Sequence, residues 1–154
     1  MNNLRKIIEF LQLVIKSGLV FIILFYPIGI VHEVGHYLIG YSSGSQCIFD
    51  LVLKVTCNPL PRQAWLYFSM GGIFGIIASS ALFVIKKLRS SNWIFIGVIT
   101  TVFDQLVKAL FETLIHSAYL NSSVIFWYMS SRDLIFLLIL VLYYQKRNTR
   151  LASV

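Results

Sequence analysis

Two periods organise the apolar and polar positions of this chain. From Leu4 to Lys16 the period is helical: Arg5, Glu9, Gln12 and Lys16 share one face, while Ile7, Ile8, Leu11, Val14 and Ile15 share the other. This pattern fits an amphipathic helix lying along a membrane surface, and it equally fits the solvated first turns of a longer spanning helix. Four apolar runs follow, at about 18–40, 64–85, 92–116 and 123–144, each close to the ~20 residues that cross a bilayer. Ser90-Ser91-Asn92 and Asn121-Ser122-Ser123 are the polar breaks between the later runs, and Pro27 lies inside the first, where it can kink the helix. Between the first two runs the period drops to two. Phe49, Leu51, Leu53 and Val55 alternate with Asp50, Val52, Lys54 and Thr56, which predicts one short strand over 48–56, ended by Asn58-Pro59-Leu60-Pro61.

The expected fold is therefore an all-α polytopic membrane protein. It has about four transmembrane helices, an N-terminal amphipathic helix and a short strand loop, in one membrane-embedded domain over 1–154. Composition agrees. Of 154 residues 58% are hydrophobic and only 12% charged, about half the charge of an ordinary soluble domain. A net charge of +7 raises nucleic acid as a partner, but the basic residues sit at the ends of apolar runs, where they anchor helices. No nucleic-acid-reading module is present, so the expected surroundings are the lipid bilayer. Trp65, Trp93 and Trp127 lie near run ends as interface anchors.

The basic-then-apolar amino end raises a cleaved signal peptide. No small-residue cleavage site precedes residue 32, so the segment reads as retained. Arg5, Lys6 and Lys16, then Lys86, Lys87 and Arg89, then Lys146, Arg147 and Arg150 all fall on one side of the alternating spans. The positive-inside rule places both termini in the cytosol. Cys47 and Cys57 are too few for a zinc ribbon, and can pair if their loop is extracytosolic and folds back on itself.

One stretch resists a purely lipid-facing reading. His32-Glu33-Val34-Gly35-His36 puts three ionisable groups into an apolar span, where each costs several kcal/mol. On a helix His32 and His36 project from one face a turn apart, the spacing of two ligands to one zinc ion. Glu33 lies beside them as a general base for a water that zinc would acidify to a pKa of about 7. Gly35 lets another backbone approach. A catalytic zinc needs a third protein ligand. Asp104, Glu112 and His116 are available in the third span. At ~1.5 Å per residue, His32 and His36 lie roughly 21 and 27 Å beyond Gly18, against roughly 18 Å for Asp104 and roughly 30 Å for Glu112 beyond Asn92. Depth does not choose between the two acids. Lys108 stands one turn from each and can pair with either.

HEVGH in the first core span, a strand, a span with Gly71-Gly72 and an acidic residue one span later together resemble the site-2 protease family of intramembrane zinc metalloproteases. The resemblance covers roughly 25–112 and implies a zinc metalloendopeptidase that hydrolyses peptide bonds in or near transmembrane segments. It implies His32, His36 and Asp104 as zinc ligands, Glu33 as catalytic base, and a membrane protein or membrane peptide as substrate. The chain departs from the family pattern at Gln105, where the family has glycine, and at Gly72 and Gly75, where it often has proline and asparagine. The family's Asn-Pro upstream of the aspartate is missing too, and its motif helix usually ends toward the cytosol. Two other classes stay open: a non-catalytic binding or immunity-type membrane protein that keeps the metal-site fold, and a metal-handling transporter. Gly71, Gly72, Gly75, Ala78, Ser79 and Ser80 form a small-residue face that reads first as a helix-packing surface.

Overall fold

The computed structural model describes residues 2–50, 54–115 and 122–152. Leu51, Val52 and Leu53 of the expected strand, and His116 among the expected ligands, lie outside the described residues. Helix α1 (Asn2–Ser42) leads into strands β1 (Gln46–Asp50) and β2 (Lys54–Asn58). Helix α2 (Ala64–Ala81) follows, extended by a short turn to Val84. Then come the single turn α3 (Lys86–Arg89), helix α4 (Asn92–Ile115) and helix α5 (Ser122–Ala152). Four of these helices are long and apolar enough to cross a membrane.

The two readings of the N-terminal amphipathic stretch are resolved in favour of continuity. α1 is one helix of 41 residues, running on through Pro27. At ~1.5 Å per residue it is about 60 Å long, twice the hydrocarbon core of a bilayer. The single strand expected over 48–56 is instead a pair. β1 and β2 are antiparallel, with Cys47 opposite Cys57 and Asp50 opposite Lys54. Cys47 and Cys57 are joined in a disulfide. Period-two alternation cannot separate one long strand from two short ones, because both halves keep the same inside-out pattern.

Matching contacts along the helices show how they run. Val20 and Ser17 of α1 meet Gly97 of α4, and His32 meets Gln105 and Glu112, so α1 and α4 are parallel. α2 lies antiparallel to both: Tyr67 meets His36, Gly71 meets His32, and Gly75 meets Gln105. α5 returns along α1, with Arg132 over the Phe21 ring and Tyr144 against Phe10. Buried and exposed residues are sorted as lipid demands. His32, Asp104, Gln105 and Glu112 are buried while Ile22, Ile23, Leu134 and Leu138 face outward. Among them α4 is the central helix, and its Thr100 and Thr101 hydroxyls donate back to the carbonyls of Ile96 and Gly97.

Candidate metal centre

α1, α2 and α4 meet around the two histidines. Their approach is close because glycine stands at the crossing. The Met70 carbonyl oxygen lies 2.5 Å from where a Gly35 Cβ would sit. A side chain on Gly71 would collide with both imidazole rings. The small-residue face of α2 is thus a packing surface, with Gly71, Gly72, Gly75 and Ser79 all buried. Part of that face packs directly against the centre.

Each histidine has its outer nitrogen committed. His36 Nδ1 lies 2.7 Å from the Tyr67 carbonyl oxygen, which can only accept, so Nδ1 carries the proton. His32 Nδ1 lies 2.9 Å from Gln105 Oε1. The amide orientation is set by its other end, where Gln105 Nε2 donates to Asp104 Oδ2 at 3.1 Å. Asp104 Oδ1 in turn accepts from the Tyr128 hydroxyl at 2.6 Å. A chain of four side chains, Tyr128–Asp104–Gln105–His32, therefore holds the His32 ring with its Nδ1 proton outward. Such outer partners fix the tautomer of ligating histidines.

The inner nitrogens then face a third acceptor. His32 Nε2 and His36 Nε2 are 3.1 Å apart, and Glu112 Oε2 lies 3.0 Å from the first and 3.4 Å from the second. With both Nδ1 atoms protonated, these three atoms are lone-pair donors turned on one another. A proton can bridge one such pair. A metal ion bound at ~2.0–2.1 Å in a tetrahedral site separates its ligand atoms by about 3.3 Å, close to all three separations at once. The buried group of His32, His36 and Glu112 can hold a metal ion.

Asp104, expected as the third ligand, is not brought to the two histidines. It is buried, but its carboxylate is spent on Tyr128 and Gln105, and it belongs to the shell behind His32. Glu112 is the acid brought to the histidines. The reason is helical phase: Glu112 is seven residues from Gln105 and so shares its face, whereas Asp104 is turned toward α5. Lys108 pairs with Glu112, its Nζ 3.8 Å from Oε1, and also lies 3.6 Å from Glu33 Oε1.

Glu33 is held from the hairpin side as well. Its Oε2 accepts the Val55 N–H at 3.0 Å, while the Val55 carbonyl accepts from the Tyr67 hydroxyl at 3.3 Å. The register explains why these groups are free to do so. Cys47 and Cys57 are 4.1 Å apart at Cα, the spacing of a non-hydrogen-bonded pair. Phe49 opposite Val55, two residues along, is of the same type, so Val55 turns its N–H and C=O outward from the ladder toward the helices. Gln105, Tyr128, the Val55 amide and the Tyr67 carbonyl were not legible as site groups. Only Gln105, a polar amide two turns from Glu112 in an apolar helix, carried a signal.

A scan of protein-family models, a search of curated proteins and a search of solved structures each find no match to this chain.

Proposed function

We propose that this protein is an intramembrane zinc metallopeptidase of the site-2 protease type, with His32, His36 and Glu112 as ligands and Glu33 as general base. The observation that carries the reading is the convergence of three buried acceptor atoms at 3.0, 3.1 and 3.4 Å, both histidines having their second nitrogen already committed. The HEVGH sequence and its place in an apolar span support it further. Zinc is the ion that two imidazoles and one carboxylate suit best, and when bound it supplies Lewis acidity and an acidified water. Glu33 accepts a proton from the attacking water and returns it to the departing amine. The substrate is a membrane protein or membrane peptide, because the centre lies among helices whose outer surface is apolar. The charge pattern supports cytosolic termini.

The test is zinc content together with cleavage in lipid vesicles carrying a pool of single-span peptides, with new termini read by mass spectrometry. Wild type binds one zinc and cuts; Glu33→Gln binds zinc and does not cut. Cleavage by Glu33→Gln at the wild-type rate would sink the mechanism.

A second reading is favoured by one observation: both Glu33 oxygens are engaged, one by Val55 and one by Lys108. A non-catalytic membrane binding protein that keeps a metal for stability would show the same contacts. Zinc without cleavage in wild type is its signature.

A further inference from the structure

Peptide hydrolysis places negative charge on the carbonyl oxygen, and a site that speeds it aims a donor at that oxygen. Around this centre the donors are almost all taken. The Nδ1 protons go to Gln105 and Tyr67, and the Gln105 amide goes to Asp104. The Tyr128 hydroxyl goes to Asp104, the Tyr67 hydroxyl to the Val55 carbonyl, and the Val55 N–H to Glu33. Lys108 differs. Its ammonium lies 3.6 Å from Glu33 Oε1 and 3.8 Å from Glu112 Oε1, near enough for charge attraction and too far for a hydrogen bond. Three N–H groups therefore remain to be directed.

Its position matches that vacancy. Lys108 is 19% exposed at the side chain, against 0% for His32 and 7% for His36, Glu33 and Glu112, so it stands where the centre opens. It lies between the base and the third ligand, on the α4 face that carries Gln105 and Glu112. Among the described residues it is the lysine or arginine that ion pairs join to this cluster.

We propose that Lys108 is a catalytic residue that donates to the scissile carbonyl oxygen; this rests on the hydrolase reading above. Water oxygen bonds to the carbonyl carbon, its proton passes to Glu33, and the carbonyl electron pair moves onto oxygen facing the Lys108 ammonium. When that pair returns, the C–N bond breaks and Glu33 gives its proton to the amine. Lys108 keeps its own proton throughout. Its two carboxylate neighbours hold the ammonium in place.

The test uses full-length protein loaded with cobalt(II), whose visible spectrum reports ligands, titrated with acetohydroxamate as a small carbonyl-bearing probe. Lys108→Met is expected to keep one metal per chain and bind acetohydroxamate about 10- to 100-fold more weakly, the worth of one charged hydrogen bond. Lys108→Arg is expected to recover most of that loss. Unchanged acetohydroxamate binding by metal-loaded Lys108→Met overturns the proposal and leaves the metal centre standing. Should Lys108→Met fail to fold or to hold metal, Glu33→Gln/Lys108→Met, in which the charges again balance, is compared with Glu33→Gln alone. Equal probe binding there, or metal lost again, overturns the proposal, since Lys108 would then serve Glu112 and not the carbonyl. A wild type that binds no metal overturns this proposal and the hydrolase reading together.

Discussion

The two ends of α1 belong to one unbroken helix and live by opposite rules. Toward the amino end its large apolar side chains point outward: Leu4 is 66% exposed and Ile15 61%. Its neighbours there include the far end of α5, through Phe10 and Tyr144, the start of α4 across a cavity lined by Glu9, Lys16 and Trp93, and its own next turn, through Arg5 and Glu9. Toward the carboxyl end His32, Glu33 and His36 are buried, and every one is bonded to another element. An exposed leucine has no polar group to satisfy, so the first end makes few specific demands on its neighbours. A polar group buried in an apolar span must be satisfied inside the protein, so the second end constrains how α2, α4 and the hairpin are placed. In this molecule buried polar contacts and close packing at glycines together place the helices.

That contrast can be broken most severely at the centre. His36→Ala removes one of the three proposed ligands and is expected to abolish metal binding, read as metal per chain after dialysis. Glu112→Ala should do nearly as much, while Asp104→Ala, which only unseats Gln105 behind His32, should weaken metal affinity by about 10- to 100-fold and keep the stoichiometry at saturation. Equal metal loss in the two acid variants would return Asp104 to the ligand set.

Gly71→Ala forces a methyl group into both histidine rings and is expected to lose metal and lower thermal stability by about 1–3 kcal/mol, measured by thermal unfolding in detergent. Gly18→Ala, at the other end of the same helix pair, has nothing within 4 Å to meet. There the change should be within about 1 kcal/mol, and in the stabilising direction by helix propensity.

Reducing the Cys47–Cys57 disulfide tests a middle case. It loosens the hairpin that supplies the Val55 amide to Glu33, while His32, His36 and Glu112 sit on helices. Metal content should hold and cleavage should fall; equal loss of both would mean that the hairpin supports the ligands too. The smallest effect belongs to the outward face: Ile7→Ala or Leu11→Ala is expected to change stability by less than about 0.5 kcal/mol.

Much of this was written locally in the chain. Run length and composition are enough to specify four spans, because solubility in a bilayer depends on neighbouring residues along one helix. The pairing of His32 with His36 is equally local, being one turn of α1. Whether Leu4–Lys16 lay flat or ran on into the span was not decided by its pattern, since an amphipathic face suits both; only the unbroken helix through Gly18 decided it. The two-residue period marked a strand region but could not say where it folded back.

Which acid meets the two histidines needed three dimensions. Asp104 and Glu112 are eight residues apart, about 80° around the helix, so only one can face α1. Which one does is set by the rotation of α4, and that rotation is fixed by contacts between distant segments: Ala109 against Gly72, Gly97 against Val20, Tyr128 drawing Asp104 toward α5. Spacing along a single chain determines what two neighbours on a helix can do together. It carries no information on how that helix is turned, because the turn is chosen by the surfaces it packs against.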